Sequence, residues 1–383
     1  MNKAAMVWFV FFLSITAAYQ GAYCATMTRG DLTGLFFSGP GFPHPPGMPH
    51  PGYVYPEGAG YDGQFYRLLA RDPLGRKGYW IYMDDPRYRS RRILVPALAA
   101  VLGQGSPRAV DLSYVAITDI LMALGGICFI RLAKERWRPW PAALLYLLIP
   151  AVIASTDRMV LDGPVVAGFL AAWLFLHERR TLPLMAVLVL LPLAREAAIC
   201  VTAGVVLVYS TQRRYPMAAL AATSAIPAMA WWWSVAARTQ PSSAAMYSLT
   251  APLWGQILRL FRPFPRPLPW VPNFLLGAMD EIACVCLLIA FGWLLKVLAA
   301  EIRAGRISEE LWLVLPSAAL AAVAGTHSVM DEAYAFMRVD SILIAWAALR
   351  FPVLRGYSAL YLPAGSLALL IFRAGPFLRL LGR

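Results

Sequence analysis

The 383-residue chain is 59% hydrophobic and only 14% charged, where a soluble domain carries about 25% charged residues, so an ordinary soluble domain is excluded. Its formal charge of +13 does not point to nucleic acid, because most Lys and Arg sit in short tracts beside apolar runs, where the positive-inside bias puts them. Several runs reach the ~20 residues of a spanning helix and no alternating barrel pattern competes, so the expected fold is all-α: one polytopic transmembrane helix bundle of about 10 to 11 membrane segments.

In chain order, Lys3 precedes an apolar run over residues 4–22 that ends near Gly21 and Ala22. A cleaved signal peptide and a retained helix share this pattern; retention is expected, and either way the next segment is delivered outside. Residues 25–92 are predicted to form a long first extracytoplasmic loop. Pro40, Pro43, Pro45, Pro46, Pro49, Pro51 and Pro56 bar regular helix and central strand from its first part. Residues 61–92 mix charges with Phe, Tyr, Leu and Trp, which predicts short amphipathic helices on the membrane surface. Residues 93–102 are too short to span and read as a dipping segment.

Apolar stretches follow at 110–132, 139–154, 159–176, 181–193, 197–209, 217–237, 271–299, 311–324, 339–349 and 357–372. The connectors 131–138, 178–180, 212–214, 296–306 and 350–355 are short and basic, hence predicted to be cytoplasmic. Alternation sends outward 25–92, 156–158, the Arg195-Glu196 apex, a second loop at 238–270, and 327–338. The basic tail 373–383 would then lie outside, against the bias, so one segment is miscounted; the two short stretches beside Arg195 are the expected place. Cys128, Cys200, Cys284 and Cys286 fall in apolar segments and only Cys24 outside them, so packing is their expected role and no disulfide framework is implied.

The polar residues that carry chemistry gather in the outward connectors. In Gly60-Tyr61-Asp62-Gly63-Gln64-Phe65-Tyr66, Asp62 can take a proton from a hydroxyl nucleophile, with Tyr61, Gln64 and Tyr66 expected to contact substrate and the glycines permitting close ligand approach. The same residues also fit a turn capping a surface helix. In Asp84-Asp85-Pro86-Arg87-Tyr88-Arg89-Ser90-Arg91-Arg92, guanidinium forks on Arg89, Arg91 and Arg92 match phosphate oxygens; snorkelling among anionic headgroups accounts for them equally well. Asp84 and Asp85 can bind a divalent ion such as Mg or Mn, though two carboxylates alone do not specify one, and no other cofactor is expected.

Downstream, Asp157, Arg158 and Asp162 stand at the outer mouth of two apolar segments, and Asp162 inside its run needs a partner or a wet cavity. Arg195-Glu196 is a charged pair between two half-length stretches, and Asp331, Glu332, Tyr334, Arg338 and Asp340 repeat the pattern. A structural turn accounts for the Arg195 pair as an alternative. A shared extracytoplasmic cavity is the simplest cause of their convergence.

Gly60-Tyr61-Asp62-Gly63-Gln64-Phe65-Tyr66, Arg71-Asp72-Pro73, Tyr88-Arg89-Ser90-Arg91-Arg92-Ile93-Leu94-Val95-Pro96 and Ala194-Arg195-Glu196 together resemble bacterial inner-membrane proteins of the GT-C glycosyltransferase class linked to cell-surface glycopolymers. The resemblance covers the order of helices along most of the chain, with its specific motifs confined to residues 60–96 and the Arg195 apex. It implies a hexosyl- or pentosyltransferase whose partners are a polyprenyl-phosphate sugar donor, a glycan or lipid-linked acceptor, and membrane lipids, acting on the periplasmic face. It maps the first-loop acid onto Asp62, makes Asp84, Asp85, Asp157, Asp162 and Glu196 candidates for acceptor contact, and makes Arg89, Arg91, Arg92, Arg158, Arg195 and Arg338 candidates for the lipid phosphate. The chain departs from the family's paired acidic motif, with Asp62-Gly63-Gln64 in its place and the acidic pair displaced to Asp84-Asp85. A flippase for a lipid-linked saccharide and a non-catalytic envelope assembly protein are the alternatives. No nucleotide-binding Gly-rich loop is present.

Overall fold

A computed structural model describes residues 3–56, 58–241, 249–261, 273–324, 330, 333–350, 366, 370 and 374. The chain runs α1 (Lys3–Met27), α2 (Asp62–Arg71), α3 (Pro86–Arg89), α4 (Leu94–Gly103), α5 (Pro107–Ala133), α6 (Pro139–Leu147), α7 (Pro150–Arg158), α8 (Asp162–His177), α9 (Thr181–Ala194), α10 (Ile199–Thr211), α11 (Tyr215–Thr223), α12 (Ile226–Arg238), α13 (Trp254–Arg259), α14 (Asn273–Arg303), α15 (Glu309–Val323), α16 (Ala333–Val339) and α17 (Ser341–Arg350). Among the described residues there is no named strand. Lys3–Met27, Pro107–Ala133 and Gly277–Arg303 are long and apolar enough to cross a membrane, and Pro139–Leu147 with Pro150–Arg158 makes a fourth if the pair, bent by 59°, is one span.

Prolines set several boundaries: Pro107, Pro139 and Pro150 open α5, α6 and α7, where the missing N–H has no intrahelical acceptor to lose. At the α6–α7 break the freed backbone groups find side chains. The Ala151 N–H donates to Ser341 Oγ at 2.9 Å, and Ser366 Oγ donates to the Leu148 carbonyl. α8 packs on α5, α7 and α9, α10 packs on α15, and α17 packs on α14 and α15. Their shared core includes the fully buried Phe129, Phe169, Leu184, Val205, Leu313 and Trp346.

Charge separates the two ends of this bundle. α8 holds Asp162 at its start and His177 at its close, and its 16 residues cover about 24 Å at 1.5 Å per residue. At the far end Arg131 pairs with Glu178, Arg179 with Glu309 at 2.6 Å, Gln212 with Glu309 at 2.6 Å, and Arg350 with Glu310. Glu301 lies 3.9 Å from Arg350, so all five basic connectors contribute to this end. α9 leaves it and returns to the other, where Arg195 pairs with Asp162. Each short helix beside Arg195 therefore runs between the same two ends as α8.

Short helices form over 61–92 as expected, at Asp62–Arg71, Tyr79–Tyr82 and Pro86–Arg89, but the first of them does not lie on the surface. In α2, residues 63–71 are all buried, lying beneath residues 28–60 and against α4 and α5. Arg67 and Arg71 are four apart and share one helix face; both turn inward onto Asp111 of α5, at 2.9 Å and 2.6 Å. Arg67 also donates to the carbonyls of His50, at 2.8 Å, and Pro51, which fastens the proline-rich segment to the bundle. Gly63 permits the close docking of α2: a Cβ there would stand 2.1 Å from the Arg158 carbonyl oxygen. Its neighbour protein atoms, not a ligand, require the glycine.

Candidate functional site

The end opposite Glu178 brings together acids that open helices. Asp62 lies in the first turn of α2, Asp162 in that of α8, and Glu196 opens the 3-10 turn Glu196–Ala198, where the helix dipole favours negative charge. Arginines from elsewhere in the chain close on them. Asp62 Oδ1 is 3.0 Å from Arg89 Nη2, and Asp62 Oδ2 accepts from Arg338 Nη1 at 3.0 Å. Arg89 continues to Asp84 through two bonds of 2.8 and 2.6 Å. Arg338 continues to Asp162 at 3.4 Å, and Asp162 to Arg195. Beside this chain of ions Arg92 grips Glu196 with two bonds of 2.9 and 2.6 Å and donates to the Tyr66 hydroxyl.

Aromatic faces fix the guanidinium groups. Arg92 lies 4.1 Å from the Tyr88 ring centroid, Arg89 5.0 Å from Phe65, and Arg338 4.9 Å from Tyr61, distances at which cation–π attraction acts. Arg92 is buried to 1% while the Asp62 carboxylate keeps 19% of its surface, so the cations are anchored below and the acid is reachable. Burial alone would push the Asp62 carboxyl up; Arg89, Arg338 and Arg92 outweigh it and hold that carboxyl well below the usual carboxylate range. Such an acid is a weak base while its arginines remain in place.

Other predicted residues go elsewhere. Gln64, expected to contact substrate, is buried and holds the loop: its Nε2 donates to the Ala59 carbonyl at 3.0 Å and its Oε1 accepts from the Gly39 N–H at 3.3 Å. Tyr66 is buried beneath Arg92 and acts on it. Asp84 and Asp85 do not fit a divalent cation. Both Asp84 oxygens face Arg89, and Asp85 caps α3 by accepting from the Tyr88 N–H at 2.8 Å, so Asp85 also serves the fold where acceptor contact was expected. Among the described residues no group of three or more His, Cys, Asp or Glu is placed to hold a metal ion. Arg158 reaches the Phe37 ring at 3.5 Å and the Tyr23 hydroxyl at 3.3 Å. Asp157 is buried in the last turn of α7, and Arg91 is half-buried beside Arg92. Asp331 and Glu332 lie outside the described residues.

Sequence alone singled out neither Arg67 nor Asp111, and named Arg71 only within Arg71-Asp72-Pro73; it also left out Asp119, which accepts from Gln20 Nε2 at 3.0 Å. Their signal was available, since Asp111 and Asp119 sit in an apolar helix and such acids need partners. Compared with protein-family models, with curated proteins and with solved structures, the chain matches none.

Proposed function

We propose that this chain is a membrane glycosyltransferase of the GT-C kind, which moves a hexose or pentose from a polyprenyl-phosphate donor to an envelope glycan or lipid-linked acceptor. In this reading about ten helical passes, or eleven with residues 357–372, embed it in a bacterial inner membrane. The Glu178 end faces the cytoplasm, with its basic connectors on the side the positive-inside bias favours. Residues 25–92 are then the first periplasmic loop and 238–270 the second, and the Asp62 site is periplasmic.

The observation that carries the proposal is the sharing of Asp62 between Arg89 and Arg338, with Arg338 reaching on to Asp162. A donor phosphate is a better acceptor for two guanidinium forks than a single carboxylate oxygen on each. As the phosphate binds Arg89 and Arg338, it weakens the hold on Asp62, whose affinity for a proton rises. The acceptor hydroxyl oxygen then bonds to the anomeric carbon, the bond from that carbon to the phosphate oxygen breaks, and the phosphate leaves with the electron pair. The hydroxyl proton passes to Asp62, and the arginines hold the charge on the departing phosphate. Base strength thus appears only when donor is present, which guards the site in its absence.

A carrier for a lipid-linked saccharide draws on the α6–α7 break, since broken helices build many transporter sites. The polar groups freed there are taken by Ser341 and Ser366, and the charged cluster sits at one end of the bundle, which favours the transferase. The deciding experiment supplies membranes carrying the Asp62→Asn chain with labelled polyprenyl-phosphate sugar. Transfer is expected to fall about 10²- to 10⁴-fold with the protein still folded; full activity overturns the proposal, and donor movement across vesicles without a new glycosidic bond favours the carrier.

A further inference from the structure

A second site lies away from the ion cluster. A groove of 690 Å³ opens between α1, α5, α8 and α9, within the 300–1,000 Å³ of ordinary ligand sites. Its wall is apolar, and the charged residues that line it are Arg131 and Arg180. Both stand at the Glu178 end; the opposite end is lined by Leu94, Leu121 and Ala194. Along α5 the ten residues from Leu121 to Arg131 cover about 15 Å, half of the ~30 Å hydrocarbon core. On α9 the lining runs from Arg180 to Ala194, about 21 Å, so the groove reaches past the bilayer middle from a mouth whose cations stand at the level of a headgroup.

The mouth is positive and interfacial. Arg131 pairs with Glu178, while Arg180 stands 3.9 Å from the same residue; the trio keeps one positive charge in excess. The guanidinium-bearing side chains are 48% and 54% exposed, open to a ligand rather than sealed. Trp8, in the groove wall, meets Trp140 edge to face with centroids 4.8 Å apart, the kind of aromatic pair that marks a membrane interface.

We propose that the groove holds an anionic phospholipid of the cytoplasmic leaflet, its phosphate at Arg131 and Arg180 and an acyl chain lying along α8 past Ala171 toward Ala194. The proposal rests on the membrane placement given above and is independent of sugar transfer. A polyprenyl donor would need its phosphate at the opposite end, beside Arg195, where the groove wall carries no charge.

The test melts the purified full chain in nonionic detergent with phosphatidylglycerol, phosphatidylcholine or polyprenyl phosphate added. Phosphatidylglycerol is expected to raise the melting temperature several degrees more than phosphatidylcholine. R131Q/R180Q is expected to lose that excess, and Ala171→Trp to lose the response to either lipid. Equal protection by both phospholipids, an undiminished excess in the arginine variant, or stronger protection by polyprenyl phosphate overturns the assignment. Should Ala171→Trp fail to fold, the exposed arginine pair still decides. The Asp62→Asn chain is expected to keep the phosphatidylglycerol preference, and a natural chain that transfers no sugar yet prefers that lipid overturns the enzyme reading alone. Release of the chain by alkaline washing of membranes overturns both.

Discussion

Both ends of the bundle are built from arginine and carboxylate, yet they differ in depth and in reach. At the Glu178 end the pairs are open, with the Arg131 and Arg179 side chains 48% and 56% exposed; Arg131 closes α5 and Arg179 sits in the short connector between α8 and α9. At the Asp62 end Arg89 and Arg92 are 7% and 1% exposed, and Asp62 meets Arg338 across 276 residues of chain. Exposed pairs contribute little because water and salt screen them. Buried ones make each partner depend on the other, since losing one strands a charge away from water. The same residue types thus give open, screened pairs at one end and a buried, interdependent ion cluster at the other, the cluster on which the proposed transferase reading rests.

That contrast breaks most visibly at Asp111. Asp111→Asn leaves Arg67 and Arg71 facing a neutral amide in a buried site, and is expected to destabilise the fold by about 3–5 kcal/mol; chemical denaturation in detergent micelles reads it, and a change under 1 kcal/mol would show the triad to be dispensable. Next comes Arg338→Lys, which keeps the charge but loses the guanidinium whose Nη1 lies between Asp62 and Asp162. Transfer is expected to drop about 10²- to 10³-fold, in kcat more than in donor KM; an unchanged kcat would remove Arg338 from the reaction.

The pH dependence of stability sharpens the comparison further. Asp62 has a folded-state proton affinity depressed by its arginines, so its contribution is fully present above the unfolded carboxyl value of about 3.9 and is lost as pH falls toward the depressed one. The stability difference between the natural chain and Asp62→Asn is expected to stay level from about pH 8 to pH 5 and to shrink below about pH 4. A difference that shrinks already near pH 6 would contradict the arginine-locked carboxylate. The smallest effect belongs to the open end, where Arg179→Gln should change stability by about 0–1 kcal/mol, and less in high salt. A larger loss there would erase the distinction between the two ends.

Much of this was legible without coordinates. Apolar runs and basic connectors marked both ends, because lipid-facing helices need continuous hydrocarbon and the flanking charges are local. Asp162 and Arg195 stood out because a charge within or between apolar runs demands a partner, Asp62 because its glycine and aromatic neighbours suit a base beside a substrate, and Arg338 because it repeats the pattern of outward charges. Less legible was who partners whom: Gln64 looked like a ligand contact and is a loop tether, and Asp84-Asp85 looked like a cation pair, while one faces an arginine and the other caps a helix. Composition also suggested surface helices for 61–92, where α2 is in fact enclosed, its arginines drawn inward by an acid forty residues on.

By itself the sequence determined that the chain is helical and apolar, where its turns fall, and which charges cannot stand alone, since these follow from hydrophobic period, proline and the expense of an unpaired ion. Only the tertiary structure decided that Asp62 is held between Arg89 and Arg338, and that Arg92 answers Glu196. Pairing of that kind depends on how distant helices pack, and packing is a property of the whole bundle that no local stretch of residues encodes.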